Sequence, residues 1–232
     1  MIIGKGLLAK AFEEYSDNNN IIIFASGVSN SKEERAKEFN REKKLLINTL
    51  KNSNNKAFIY FSTCSIYDTT LKNSAYVIHK QEMESIVQNT ALNYYIFRLP
   101  QVVGKSKSPT LINYLFNSIN NNIKMRILSS AYRNLIYIDD VFSISKIIIE
   151  NNIFKNKIIN IASPYSEYII SIINMIEDII QRKAIYKLIE GGSNISIDIN
   201  EIQSLDNYTE IFTQNYTYNI LLKYYNEDYL NE

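Results

Sequence analysis

Tyr76 and Lys80 stand four residues apart in the segment SAYVIHKQEME, residues 74–84. On a helix, positions i and i+4 share a face, so the lysine ammonium would lie near the phenol and favour its ionised form. A phenol made ionisable in this way exchanges a proton with a substrate near neutral pH. The spacing also arises by chance in a chain with 18 tyrosines, and the two residues would then be an ordinary surface pair.

A glycine turn opens the chain. Gly4, Gly6 and Ala9 form a G-x-G-x-x-A pattern between a very short apolar strand and a helical pattern. Two glycines let the backbone approach a pyrophosphate, which the N-terminus of the following helix attracts. By itself the pattern fits a tight strand-to-helix turn without a ligand equally well.

The composition limits the kinds of partner. The 232 residues carry a net charge of +1, so no overall positive field favours nucleic acid or an anionic membrane, and a small molecule is the expected partner. One cysteine, Cys64, and one histidine, His79, argue against a zinc site, and we expect no metal. The longest apolar stretches, such as residues 168–173, are far shorter than the roughly 20 residues that span a bilayer. We therefore expect a soluble, cytoplasmic protein.

Strands and helices alternate along the chain, which is the signature of an α/β domain with a parallel sheet. Short apolar runs bounded by turn residues predict buried strands, among them IIIFASG (residues 21–27) and KAFIYFST (residues 56–63). Residues 31–50 and the segment capped by Ser74 have helical patterns. Ligands of such domains bind outside the carboxyl ends of the strands.

The order of these elements is more specific than any one of them. A glycine turn, a strand ending in hydroxyl residues and a Tyr-x-x-x-Lys helix are followed by FRLPQVVG (residues 97–104) and RNLIYIDDV (residues 133–141). This series resembles the extended short-chain dehydrogenase/reductase family, the NAD-dependent epimerase/dehydratase group, over almost the whole chain. RLPQVVG is similar to the family's R-x-x-N-V-Y-G loop, and RNLIYIDDV is similar to its R-D-F-I-H-V-D-D-V segment.

The resemblance implies a fold and a set of roles. We expect a Rossmann-like α/β core, a parallel sheet with helices on both faces, mainly in residues 1–150, and a small substrate lobe mainly in residues 151–232, interleaved with the core. Thr63 falls where the family keeps its active-site Ser or Thr, Tyr76 would be the acid/base, and Lys80 would adjust the pKa of Tyr76. The cofactor, NAD or NADP, would contact Gly4, Gly6, Leu7, Leu8, Ala25, Ser26, Gly27, Ser62, Tyr76, Lys80, Pro100 and Val102.

The substrate side carries two further predictions from the resemblance. Gln101 replaces the family's loop asparagine near the substrate, alongside Thr63. Arg133 matches an arginine that binds a nucleotide diphosphate, a role that suits its fixed fork of donors. The alternative for Arg133 is a structural ion pair with Asp139 or Asp140.

Departures from the family's pattern narrow the reaction. Dehydratases of the family carry an Asp-Glu pair directly after the threonine, and here Cys64 and Ser65 stand in its place, which argues against dehydration. Cys64 is expected to be a small buried filler. His79 is expected to be a solvated helix residue and not a catalyst.

The largest departure lies near the start of the chain. Only residues 10–20 separate the glycine motif from IIIFASG, so the family's second and third strands are expected to be missing. IIIFASG is then placed at the fourth-strand position. This placement raises a difficulty of topology, since a direct connection needs its helix on the other face or a rare left-handed link.

These observations predict an NAD(P)-dependent oxidoreductase that acts on a nucleotide-linked sugar, either a keto-sugar reductase or a sugar epimerase. The competing hypothesis is a non-catalytic protein that binds a dinucleotide through the same fold. A homodimer is expected, because related enzymes pair through the Tyr-x-x-x-Lys helix and the helix before it, here residues 31–50.

Overall fold

Strands and helices alternate through the computed structural model, which describes residues 1–106, 110–206 and 208–228. The strands are β1 (Ile2–Ile3), β2 (Ile21–Phe24), β3 (Ala57–Thr63), β4 (Asn93–Leu99), β5 (Gln101–Val103), β6 (Met125–Leu128), β7 (Tyr132–Tyr137), β8 (Lys157–Asn160), β9 (Ser166–Tyr168) and β10 (Tyr186–Ile189). The helices are α1 (Leu7–Ala11), α2 (Ala36–Lys51), α3 (Ala75–Thr90), α4 (Leu111–Asn120), α5 (Ile138–Glu150), α6 (Ile169–Ile180), α7 (Asn200–Gln203), α8 (Tyr208–Ile211) and α9 (Tyr216–Asp228). Within the described ranges, none of these helices is long and apolar enough to cross a membrane.

The main sheet has five strands in the described residues, in the order β1, β2, β3, β4, β8, and every neighbouring pair is parallel. The prediction of a Rossmann-like parallel sheet is confirmed. β2 follows β1 directly along the chain and also lies beside it, with Ile2 opposite Ile23. No second and third strands of the usual kind intervene between them in this part of the chain, as the short separation predicted.

Alternating side chains divide the apolar residues of the strands between two faces of the sheet. On one face, Ile22 of β2 packs in a cluster with Leu46 of α2 and Met83 of α3. On the other face, Ile23 packs in a larger cluster that includes Phe12, directly after α1. The sheet is therefore covered on both faces, as its nearly continuous apolar strands require.

α1 lies on the face opposite to α2 and α3. Phe12 packs edge-on against Phe61 of β3 and Phe142 of α5, with ring centroids 5.1 and 5.2 Å away. The chain moves the same way across the sheet from β1 to β2 as from β2 to β3, but the connecting helices lie on opposite faces. The two connections therefore have opposite hands. Because right-handed crossovers are nearly universal in parallel sheets, we assign the left-handed form to the β1–α1–β2 connection.

The remaining strands form two smaller sheets. β5, β7 and β9 form one, in which β5 and β7 are parallel and β7 and β9 are antiparallel. β6 and β10 form a parallel pair. Both sheets join strands from before and after residue 150, so the C-terminal segment interleaves with the preceding chain. Residues of α5, α6 and α9 share one apolar cluster with the main sheet.

Candidate active site

Tyr76 and Lys80 lie in the first turns of α3, as the spacing predicted. Ser74 caps the helix, because its hydroxyl accepts a hydrogen bond from the backbone N–H of Val77 at 3.2 Å. Both side chains face inward, and Tyr76 is 6% and Lys80 2% exposed. The pair is therefore part of the interior and is not an ordinary surface pair.

Thr63 ends β3 and brings its hydroxyl to the same place. Its Oγ1 accepts a hydrogen bond from the backbone N–H of Ser65 at 3.0 Å and lies 3.0 Å from the Ser65 hydroxyl. The Thr63 side chain also acts on the phenol of Tyr76, whose pKa it lowers. A strand end and a helix start thus place the two hydroxyls together at the carboxyl edge of the sheet.

The pKa of the Tyr76 phenol is raised to about 12 in this structure. Burial is the largest cause, the Thr63 side chain acts in the opposite direction, and the Glu42 carboxylate adds to the rise. That Lys80 favours the ionised phenol stays a prediction. Lys80 itself is paired with a carboxylate here.

That carboxylate belongs to Glu42 of α2. The Lys80 Nζ atom lies 3.3 Å from Glu42 Oε1 and donates a second hydrogen bond to the backbone oxygen of Phe61 at 2.9 Å. It also lies 4.5 Å from the centre of the Tyr60 ring. The ammonium is thus held between β3 and two helices, with opposite charge beside it.

Glu42 is completely buried and satisfies four donors. Its Oε2 accepts from the backbone N–H of Val28 at 2.6 Å and lies 3.0 Å from His79 Nε2, while its Oε1 accepts from the Tyr60 hydroxyl at 2.7 Å as well as from Lys80. Burial opposes its ionisation, but Lys80 and the other hydrogen bonds outweigh burial and hold the pKa of Glu42 at about 2. Glu42 is therefore a carboxylate at neutral pH.

Two sequence expectations need correction here. His79 is not solvated: it is 5% exposed, contacts Glu42 and stacks on Phe39 with ring centroids 4.6 Å apart. The helix predicted over residues 31–50 begins only at Ala36: residues 31–32 form a turn, and Arg35 before the helix pairs with Glu33 at 2.6 Å. Glu42 itself was missed, since it looks like one of several charged residues on a solvated helix face.

The glycine turn meets the end of β2 beside this group. Gly4 has a φ of +138°, and a Cβ at this position would lie 2.4 Å from the backbone oxygen of Ala25, so only glycine fits. A Cβ on Gly6 would have nothing within 4 Å, so the turn has open space on that side. Such space beside the backbone is what a pyrophosphate requires, and the residues fit a dinucleotide in this respect.

The loop after β2 links the glycine turn to Lys80. A Cβ on Gly27 would lie 2.9 Å from Glu42 Oε1 and 3.0 Å from Lys80 Nζ. Arg41 donates from Nη1 to the backbone oxygen of Ser26 at 3.2 Å. The predicted cofactor residues Gly4, Ala25, Ser26 and Gly27 therefore lie next to one another, with Lys80 buried behind Gly27.

The other predicted cofactor residues lie around this group or behind it. Leu7 reaches the end of the 97–104 loop, where a Cβ on Gly104 would lie 3.1 Å from its side chain. Leu8 and Val102 are half-buried and pack against the larger apolar cluster, and Pro100 joins β4 to β5. Ser62 is buried, and its hydroxyl has no hydrogen-bond partner among the described residues.

Arg133 and Gln101 lie on the small sheet. Gln101 of β5 stands opposite Leu135 of β7, two residues beyond Arg133. Burial lowers the pKa of Arg133, and the nearby Asp68 carboxylate raises it. Asp68 is itself buried and accepts a hydrogen bond from the Ser193 hydroxyl at 2.7 Å.

The ion-pair alternative for Arg133 is not what the structure contains. Asp139 pairs with Lys223 at 2.6 Å, and Asp140 accepts a hydrogen bond from the Tyr216 hydroxyl at 2.6 Å. Both carboxylates serve the packing of α9 on α5. Arg133 is thereby left to other partners.

Cys64 is buried, as predicted. Its Sγ donates to the backbone oxygen of Arg98 at 3.4 Å, and burial raises the pKa of the thiol. A neutral thiol in this position is a packing group.

Fold and geometry together describe an α/β protein with a glycine turn near the buried side chains of Thr63, Tyr76 and Lys80. The family model "NAD dependent epimerase/dehydratase family" matches residues 3–162. The chain belongs to this family, which confirms the resemblance and the expected cofactor class. A search of curated proteins by sequence found no match.

Solved structures show the same fold at low sequence identity. RMD from Pseudomonas aeruginosa, complexed with NADPH, is 12% identical with a TM-score of 0.70, over 97% of this chain and 88% of that one. UDP-glucose 4-epimerase from Bifidobacterium longum, in complex with NAD⁺ and UDP, is 14% identical with a TM-score of 0.72, over 95% and 80%. UDP-glucuronic acid 4-epimerase from Bacillus cereus, in complex with NAD, is 18% identical with a TM-score of 0.69, over 96% and 77%.

Proposed function

We propose that the protein is an NAD(P)-dependent oxidoreductase that acts on a nucleotide-linked sugar, as a keto-sugar reductase or a sugar epimerase. The observation that carries this proposal is that Thr63 at the end of β3 and Tyr76 and Lys80 on α3 are all buried, with Tyr76 and Lys80 next to the loop that follows β2. These three polar side chains come from a strand end and one helix, and each is at least nine-tenths buried. Such a buried polar group is a candidate active site, unlike a chance pair of exposed side chains.

Each of the three side chains has a role in proton transfer and orientation. The nicotinamide, when bound, supplies or receives the hydride. Thr63 hydrogen-bonds the oxygen of the reacting carbon, and Tyr76 exchanges a proton with that oxygen. Lys80 uses two of its three N–H groups on Glu42 and Phe61 within the described structure, so one remains for a ribose hydroxyl.

The nucleotide end of the substrate is assigned to the small sheet. Arg133 on β7 offers a guanidinium fork for a diphosphate, and Gln101 lies two residues away in register on the neighbouring strand. Residues 151–232 would complete this lobe through β9 and β10. Several proteins with the same fold are epimerases of UDP-linked sugars by name, which supports this class of substrate.

Dehydration is disfavoured at this site. The elimination of water needs an additional acid and base beside the threonine, and the two positions hold Cys64 and Ser65. Cys64 is buried as a neutral thiol, and the Ser65 hydroxyl is engaged with Thr63. Neither residue supplies a proton acceptor of the required strength.

A screen of keto-sugar nucleotides with NADH and NADPH, followed by nicotinamide absorbance, tests the proposal. Tyr76→Phe is expected to retain the fold and dinucleotide binding but to lose turnover by roughly 10²-fold or more, as the loss of a general acid usually does. The Tyr114→Phe variant, which changes an exposed tyrosine on α4, is the matched control. Unchanged turnover in Tyr76→Phe would remove this residue from the mechanism.

One observation favours the competing hypothesis of a binding protein without turnover. The cofactor half lacks two strands of the usual fold, which removes part of the wall around the adenine. The two functions differ in a simple result: a binding protein would bind NADH in calorimetry and show no absorbance change with any keto-sugar nucleotide.

A further inference from the structure

The completely buried carboxylate of Glu42 has no role in the mechanism given above. We propose that Glu42 is a positioning residue that cancels the charge of Lys80 beside Tyr76, so that Tyr76 enters the reaction as a proton donor and the site is built to reduce a keto-sugar. The second part rests on the proposed function, whereas the first part concerns the folded protein alone.

The geometry fixes the ammonium of Lys80 on several sides. Glu42 Oε1 is 3.3 Å from Nζ, the backbone oxygen of Phe61 is 2.9 Å away, and the Tyr60 ring lies beneath at 4.5 Å. Glu42 is itself fixed by the backbone N–H of Val28 at 2.6 Å. The ion pair is therefore held in one arrangement and cannot separate without disturbing β3, α2 and α3.

A neutral pair acts on Tyr76 differently from a lone ammonium. A lone lysine beside a phenol favours the phenolate, but an adjacent carboxylate opposes this effect. The pKa of Tyr76 is raised to about 12, with burial as the largest cause and Glu42 adding to it, and this direction agrees with the argument. The titratable side chains around Glu42, Lys80 and Tyr76 are Tyr60 on β3, Cys64 after it, and His79 and Glu84 on α3.

None of these neighbours supplies a positive charge in place of the Lys80 charge that Glu42 neutralises. Glu84 is bound in a two-pronged ion pair by Arg98, at 2.9 and 2.7 Å. Cys64 is a neutral thiol, and burial raises the pKa of Tyr60 above that of an ordinary phenol. The neutral phenol of Tyr76 therefore remains the favoured form at neutral pH.

This protonation state favours one direction of the reaction. In reduction, a hydride from the reduced nicotinamide forms the new C–H bond and the C=O π bond breaks. The resulting oxygen takes the phenolic proton of Tyr76, the nicotinamide is oxidised, and the phenolate regains a proton from solvent. Epimerisation begins with the opposite transfer, which needs the phenolate, and a buried phenol beside the neutral Glu42–Lys80 pair disfavours that form.

The ionisation of Tyr76 is measurable without any turnover. The ultraviolet absorbance of tyrosinate is titrated in the wild-type protein and in Tyr76→Phe, and the difference reports Tyr76. We expect no ionisation of Tyr76 below about pH 10, the usual range of a free tyrosine. Ionisation of Tyr76 below about pH 9 would overturn the proposal, whatever the behaviour of other variants.

Glu42→Gln tests whether the Glu42 carboxylate is what keeps Tyr76 from ionising. Loss of the carboxylate should lower the pH at which Tyr76 ionises by about one unit or more, because Lys80 is then a lone charge. Glu42→Asp should restore the wild-type titration, and Glu82→Gln, which changes an exposed ion pair with Lys43 across the same helices, should not move it. A folded Glu42→Gln protein with an unchanged Tyr76 titration would refute the role. If circular dichroism shows that it does not fold, the wild-type titration decides alone.

Turnover tests the direction separately. With keto-sugar nucleotides and NAD(P)H, reduction at pH 7 is expected to exceed epimerisation of the matching sugar nucleotides by at least about 10²-fold. Equal rates would refute the inference of a reductase. Absence of any turnover would refute the proposed function, while the titration would still decide the role of Glu42.

Discussion

Acid should weaken the folded protein through Glu42. The pKa of this carboxylate is held at about 2 in the folded state, against an ordinary value of 4.5. A lowered folded-state pKa contributes stability above the unfolded pKa, and that stability is lost as the pH falls towards the folded pKa. A shift of this size corresponds to about 3 kcal/mol, of which about 2 kcal/mol should be lost between pH 7 and pH 3.

The measurement is urea unfolding followed by circular dichroism at several pH values between 7 and 3. Glu33, Asp68 and Glu177 also have lowered pKa values, so the wild-type curve alone does not isolate Glu42. The informative quantity is the difference in unfolding free energy between wild type and Glu42→Gln. This difference should shrink by about 2 kcal/mol on acidification to pH 3.

Two further variants serve as controls for the effect of Glu42→Gln on stability. Breaking a buried ion pair from one side costs about 3–5 kcal/mol, so Glu42→Gln is expected to be much less stable at pH 7. The double variant Glu42→Gln/Lys80→Met removes both charges and should recover part of that loss. Glu82→Gln affects an exposed pair and should differ from wild type by less than about 1 kcal/mol at every pH. Parallel curves for wild type and Glu42→Gln from pH 7 to 3 would refute the reasoning.

Three other results are expected. Gly4→Ala should lower the melting temperature, because its Cβ would meet a backbone oxygen at 2.4 Å. Gly6→Ala should leave the free energy of unfolding within about 1 kcal/mol of wild type but weaken dinucleotide binding. Equal melting temperatures for the two variants would contradict the predicted difference between the two glycines. NADH and NADPH should differ in calorimetric affinity by less than about 100-fold, some 2.7 kcal/mol. The reason is that no acidic or basic residue stands about 20 residues after the glycine motif, where the ribose 2′ position is usually recognised. A larger preference that disappears in Arg41→Ala would mean that α2 has taken over this recognition from the missing strand. Light scattering at micromolar concentration should give the mass of a homodimer paired through α2 and α3, and a monomeric mass would count against it.

The fold followed from local patterns in the sequence. Short β-branched runs such as residues 21–24 become buried strands of a parallel sheet, and the spacing after Gly4 revealed the missing strands. The Thr63, Tyr76 and Lys80 group followed from the order of motifs along the chain, because parallel strands bring their carboxyl ends to one edge.

The environment of Lys80 could not be read in the same way. Glu42 and His79 are 37 residues apart and belong to different helices, so neither sequence neighbourhood shows the contact. Glu42 sits within the charged run REKK, which is typical of a solvated face. Only the packing of α2 on α3 turns this side chain inward, where it pairs with Lys80.

The unusual hand of the β1–α1–β2 connection has a consequence for where a ligand can enter. In open parallel sheets a crevice forms at a topological switch point, where the chain leaves two adjacent strands towards opposite faces. With a right-handed connection, α1 would lie on the same face as α2, and the loops after β1 and β2 would run side by side with no gap between them. The left-handed form sends α1 and α2 to opposite faces, and the Gly4 and Ala25 loops meet at the switch point between them. The shortened sheet thereby has, next to the glycine turn, the kind of junction at which α/β sheets bind ligands.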